Sequence, residues 1–200
     1  MRPSVLAAPF LWLLSTCCLL QAAPPDVKWV FPSGGQIGQK VSLKVSGKIN
    51  QPGTQVWCNN PAVVFEIPEK DNELFISTSV DARPGLYWLR FFNAQGATAQ
   101  MPFVLGRLPE VVEAEPNNEV ANAQAIDQSS VINAKLGAAN DVDVYAVTLK
   151  KGQTLVAQVA ANWRLGFPVD PIMQVLTVNG TVLEQVDDDH GFDPMIAFEA

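Results

Sequence analysis

Val41-Ser42-Leu43-Lys44-Val45-Ser46-Gly47 is the stretch from which the fold is read. Val41, Leu43 and Val45 alternate with Ser42, Lys44 and Ser46, and Gly47 ends the run. Apolar residues at every second position mark a strand with one buried face and one wet face. Working outward, Lys28-Trp29-Val30-Phe31-Pro32 precedes it and is stopped by Ser33-Gly34-Gly35. On the other side come short apolar runs at Gln55–Cys58, 62–67, 74–80, 86–92 and 98–105.

Turn-forming residues separate these runs: Gln51-Pro52-Gly53, Glu69-Lys70-Asp71-Asn72, Ala82-Arg83-Pro84-Gly85 and Asn93-Ala94-Gln95-Gly96. About seven strands at roughly 8–12-residue spacing predict an immunoglobulin-like β-sandwich over 24–108. Gly85 before Leu86-Tyr87 supplies a backbone angle suited to glycine, and Tyr87 opens a strand. Tyr87, Trp88, Phe91 and Phe92 have two readings, a binding stripe or a division between core and a neighbouring domain, with core the stronger expectation. Asp81-Ala82-Arg83-Pro84-Gly85-Leu86-Tyr87 resembles the loop before the penultimate strand of bacterial Ig-like modules.

Composition agrees with a folded, strand-rich chain: 48% of the 200 residues are hydrophobic, 16% are charged, and there are 15 prolines and 13 glycines. A net charge of −7 argues against nucleic acid or an anionic membrane as partner. Residues 1–23 read as a signal peptide, with Arg2 ahead of an apolar run over 5–20 and Gln21-Ala22-Ala23 before Pro24-Pro25. That run is shorter than the ~20 residues a membrane span needs. The expectation is a secreted protein, extracellular or periplasmic or held at the cell surface. Cys17 and Cys18 leave with the leader, and Cys58 is left as a small buried hydrophobe with no partner for a disulfide.

The second half, 109–200, opens on Glu113-Ala114-Glu115-Pro116-Asn117-Asn118 and continues to Asn140-Asp141-Val142-Asp143. Alternation puts Glu113 and Glu115 on one side of an extended segment, and Pro116 restricts Glu115. Two loops that bring carboxylates to one point repel unless a cation lies between them, and Ca²⁺ takes six to eight oxygens from groups of this kind. Glu113, Glu115, Asn117, Asn118, Asp141 and Asp143 are therefore the expected metal ligands. The bland alternatives are solvated linker charges, and an asparagine that caps a short helix over 119–125. Asp187, Asp189 and Asp193 form a weaker second candidate, more simply read as a solvated hairpin tip.

Strands are expected at 131–136, 144–149, 155–159, 172–178, 181–186 and 195–198, with Asn179-Gly180 as the firmest hairpin signal. The strand count falls short of a closed sandwich, so the second unit reads as incomplete, with further domains C-terminal to it. All told, the fold is read as all-β, two tandem β-sandwiches.

With those residues in view, 110–200 resembles the bacterial pre-peptidase C-terminal domain. The likeness rests on Glu115-Pro116-Asn117-Asn118, Asp141-Val142-Asp143-Val144-Tyr145, Leu149-Lys150-Lys151-Gly152-Gln153, Leu165-Gly166, Asp170-Pro171 and Asp187-Asp188. It implies a jelly-roll-like sandwich, an extracellular setting and an accessory role. Collagen-binding domains of secreted clostridial collagenases are similar and hold calcium between a Glu-x-Glu-x-Asn-Asp linker and an aspartate loop. Asn118 stands where those relatives often have Asp, which implies a weaker site or one ion in place of two. An Ig-like module followed by Glu-Pro-Asn-Asn also resembles cell-surface proteins of planctomycete-type bacteria.

His190 is the single histidine, and no nucleophile elbow, zinc cluster or phosphate loop is present. The segment reads as non-catalytic. The leading expectation is a binding or adhesion module that meets an extracellular protein or polysaccharide. The alternative is an accessory segment of a larger secreted hydrolase whose catalytic domain lies beyond residue 200.

Overall fold

The computed structural model describes residues 23–68 and 73–200. The leader expected at 1–23 lies outside the described residues except for Ala23, as does the turn at Glu69-Lys70-Asp71-Asn72. Nine strands form the first half: β1 (Val30–Phe31), β2 (Gly34–Gln36), β3 (Lys40–Val45), β4 (Gln55–Cys58), β5 (Val63–Glu66), β6 (Glu73–Thr78), β7 (Gly85–Asn93), β8 (Gly96–Ala97) and β9 (Met101–Gly106). They make two sheets, of order β1-β3-β6-β5 and β2-β9-β7-β4, with β8 on β7. This is the immunoglobulin arrangement, in which the second, fifth and fourth long strands share one sheet and the third, sixth and seventh share the other.

The deciding stretch behaves as its alternation requires: Leu43 and Val45 are buried, while Ser42 and Lys44 face water. They pack with Leu74, Ile76, Leu89, Phe91, Phe103 and Leu105 in the core between the sheets. Tyr87, at the start of β7, donates its hydroxyl to the Arg83 carbonyl at 2.8 Å. This is the tyrosine corner of Ig-type sandwiches, which fixes the loop that leads into that strand.

One expected turn is a strand. Gly34 and Gly35 lie in β2, parallel to β9, with Gly34 opposite Val104. A Cβ on Gly34 would sit 2.9 Å from the Val104 carbonyl oxygen, and one on Gly35 would sit 2.8 Å from Val41 Cγ2. The glycines there permit close approach of neighbours rather than a reversal of the chain.

The second half comprises β10 (Glu110–Val112), β11 (Gln124–Ile126), β12 (Val131–Asn133), β13 (Tyr145–Val147), β14 (Thr154–Gln158), a helical turn α1 (Asn162–Leu165), β15 (Met173–Leu176), β16 (Val182–Val186) and β17 (Met195–Glu199). Here the strands pair two by two: β10 with β12 and β11 with β13 in parallel, β14 with β17 and β15 with β16 antiparallel. Ile196 is its buried aliphatic side chain, whereas Val147, Val156, Ile172, Leu183 and Phe192 are exposed. The Asn179-Gly180 hairpin forms as expected, with Gly180 at φ +80 and Thr177 N–H donating to the Thr181 carbonyl at 2.9 Å. The helix expected over 119–125 is a single 3-10 turn at Val120–Asn122. Strand β11 follows at once, because pairing of Gln124, Ala125 and Ile126 with Tyr145, Ala146 and Val147 outweighs local helical preference.

Among the described residues, no helix is long and apolar enough to cross a membrane.

Candidate metal site at the junction

Strand β10 runs directly into the acidic linker, and its pairing with β12 brings the loop after β12 alongside. Glu113 N–H donates to the Asn133 carbonyl at 3.0 Å, and Glu113 Oε1 accepts the Lys135 N–H at 2.7 Å. From the other side, Val144 N–H donates to the Asn117 carbonyl at 2.9 Å, which docks the loop before β13 on the linker. Glu115 Oε2 accepts the Asn117 N–H at 3.0 Å.

These backbone ties bring carboxylate oxygens of Glu113, Glu115 and Asp143 within 4.8 Å of one another. Oxygens that close together lie within the span that one hard cation can bridge with bonds of about 2.3–2.6 Å. Burial raises the pKa of Glu113, and Asp143, Glu115 and Asp141 add to the rise against the opposing Lys135 N–H. Burial likewise raises Asp143, followed by the charges of Asp141 and Glu115. Tyr145 is pushed well up by burial first and then by Asp143 and Glu113. The cluster is a pocket of uncompensated negative charge.

Hydrogen bonding gives the same picture. Glu113 Oε2, Asp143 Oδ1, both side-chain polar atoms of Asn117 and the Tyr145 hydroxyl are buried with no hydrogen-bond partner. Asn117 is wholly buried at 0% exposure. The Tyr145 hydroxyl approaches Asn117, but the two do not meet with hydrogen-bonding geometry. Buried polar atoms are nearly always satisfied, so a group of orphans at one point calls for a missing partner.

The remaining two expected ligands serve each other. Asn118 Nδ2 donates to Asp141 Oδ1 at 3.1 Å, and Asp141 Oδ2 accepts the Gly137 N–H. Asp141 thus shapes its own loop, and its charge adds to the rise at Glu113 and Asp143.

The second acidic trio is not assembled as read from sequence. Asp193 is 1% exposed, and its carboxylate accepts the N–H groups of Ala161, Asn162 and Trp163 at 3.0, 2.8 and 3.0 Å. Those donors are the open end of α1, which a carboxylate satisfies by charge and hydrogen bonding together. Asp189 is engaged by His190 Nδ1. The carboxylates that converge in this region are Asp170, Asp187 and Asp188, all exposed.

Lys135 and Tyr145 belong to the junction and were not among the expected ligands. The alternation Asp143-Val144-Tyr145 carried a signal for Tyr145, since residues two apart share a face. Nothing local marked Lys135, whose ammonium lies 3.9 Å from the Phe31 ring centre and 4.5 Å from that of Trp29.

No family model and no curated protein matches the chain. Among solved structures it is similar to the titin domain M4, at 16% identity and TM-score 0.29, over 42% of this chain and 96% of that one. It is also similar to titin z1z2 in complex with telethonin, at 13% identity and TM-score 0.28, over 90% and 84%. The I67–I69 fragment of titin shows 10% identity and TM-score 0.30, over 90% and 56%. These likenesses are shallow, and the Ig assignment rests on the strand order itself.

Proposed function

We propose that this protein is an exported, non-catalytic binding module whose linker carboxylates hold Ca²⁺ between an Ig-like sandwich and a second, pre-peptidase-C-terminal-like unit. The observation that carries this reading is the convergence of Glu113, Glu115 and Asp143 around orphaned buried atoms of Glu113, Asn117 and Asp143. The amide oxygen of Asn117 suits a hard cation as well as the carboxylates do. Extracellular modules bind Ca²⁺ with dissociation constants on the order of 10⁻⁴–10⁻³ M. At about ten times that level the ion adds roughly 1.4 kcal/mol by mass action. An increment of that size orders the linker; it does not fold a domain.

The non-catalytic reading is supported by the state of the reactive side chains. Burial raises the Cys58 thiol, against a weaker opposing hydrogen bond from the Asn60 backbone, so its thiolate is disfavoured. His190 is exposed and spends Nδ1 on the adjacent Asp189.

Calorimetric titration with CaCl₂ tests the site, with Glu113→Gln/Asp143→Asn as the control. Binding heat in the parent protein and none in the double variant is the expected result. Identical melting curves in calcium and in chelator would remove the metal from this account.

A further inference from the structure

The sheet β2-β9-β7-β4 with β8 has an unusual charge pattern. Its five strands contain no Asp, Glu or Lys, and Arg90 is their one charged side chain. This occurs in a chain with 20 acidic residues and a net charge of −7. The opposite sheet carries Lys40, Lys44, Glu66 and Glu73 on its strands.

Leu89 and Phe91 are wholly buried, so strand alternation turns Trp88, Arg90 and Phe92 outward. Trp57 lies directly opposite Arg90 on β4 and is 43% exposed. Trp57, Arg90, Phe92, Asn93 and Gln100 line an open groove of about 480 Å³. Asn93 is oriented within its own turn, its Oδ1 accepting the Gln95 N–H at 2.9 Å. Among the described residues, the ion pairs are Lys40–Glu66 and His190–Asp189, so the Arg90 guanidinium faces the groove's solvent without an acidic partner.

We propose that this groove binds an acidic polysaccharide of the uronate class. A pyranose ring offers flat C–H faces to aromatic side chains and hydroxyl edges to amides, which matches Trp57 and Phe92 beside Gln100. A ring carboxylate matches the planar fork of Arg90, which takes carboxylates by paired N–H donors. Charge complementarity fixes the sign of the ligand: the strands of this sheet offer Arg90 and no carboxylate, so a polyanion meets a cation there and no repulsion from the sheet itself. A protein partner is the weaker fit, because protein hot spots seat an anchor in a closed, desolvated pocket and this groove is open. The proposal does not depend on the calcium site.

The test is a titration of the full chain with α-1,4-tetragalacturonate in chelator, so that the junction takes no part. The methyl-esterified tetrasaccharide and tetraglutamate are titrated in parallel. Tetragalacturonate binds the parent protein, and Arg90→Gln weakens it about tenfold, equivalent to about 1.4 kcal/mol. The methyl ester binds the parent and Arg90→Gln alike, and Trp57→Ala abolishes binding of both sugars. Arg90→Gln replaces an exposed side chain, and its unchanged melting point shows that the fold is intact. No binding at roughly 10 mM tetragalacturonate, equal affinity in Arg90→Gln, or tighter binding of tetraglutamate overturns the proposal.

Discussion

Lys135 is held to Glu113 by its backbone and to the Ig-like sandwich by its side chain. Its N–H donates to Glu113 Oε1 at 2.7 Å, while its ammonium lies over Phe31 and Trp29, beside strand β1. Burial lowers its pKa and nearby Lys44 lowers it further, with Glu113 opposing. One residue therefore touches both the carboxylate cluster and the aromatic edge of the first sandwich, which gives the linker a defined seat.

Replacing Lys135 with Met keeps the backbone donor and removes the ammonium. A loss of about 1 kcal/mol is expected, the usual scale for a cation over aromatic rings near the surface. Chemical denaturation reads the loss, and Trp29 emission shifts with it. An unchanged denaturation midpoint would show that the contact contributes nothing to stability.

The raised carboxyls set a pH dependence whose sign follows from linkage. Glu113 and Asp143 have folded-state pKa values above their unfolded ones. Each carboxyl therefore binds its proton more tightly when folded, and its ionisation costs stability. That cost is full above the raised folded value and is relieved as pH falls toward about 4, the ordinary carboxylate value. In chelator the melting point contribution from these groups rises as pH drops through that window, and Glu113→Gln/Asp143→Asn flattens it. In calcium the trend reverses, since protons compete with the ion for the same oxygens. Comparing the two melting profiles checks both signs.

Asp193→Ala strips three charge-assisted hydrogen bonds from the end of α1 in a buried setting. The expected destabilisation is about 3 kcal/mol, with Asp193→Asn in between because its amide oxygen still accepts. Trp163, whose N–H is one of the donors, reports the local change by fluorescence. If Asp193 were instead a weak surface carboxylate, both variants would melt with the parent.

Tyr87→Phe deletes one hydroxyl and leaves the Arg83 carbonyl at the β7 corner without its donor. A cost of about 1 kcal/mol is expected by urea denaturation. The deficit belongs to the first sandwich, so calcium does not restore it.

The sequence alone carried the strands whose pattern is local. Alternation in Val41–Val45, the Asn179-Gly180 turn and the spacing of runs up to Leu105 all survive, because side-chain direction in a strand is fixed by backbone geometry. The convergence of the Glu113, Glu115 and Asp143 carboxylates was legible for a similar reason, as oxygen-bearing side chains in two short bursts. What only the tertiary structure decided depends on residues distant in sequence. Gly34 and Gly35 became a strand through pairing with β9 seventy residues away. Asp193 was claimed by N–H groups some thirty residues earlier, and Asp141 turned to Asn118 and Gly137. Lys135 joined the junction through rings of another sandwich. A carboxylate's chemistry is written in its residue type, but its partner is chosen by which backbone donors and charges the fold brings within a few ångströms.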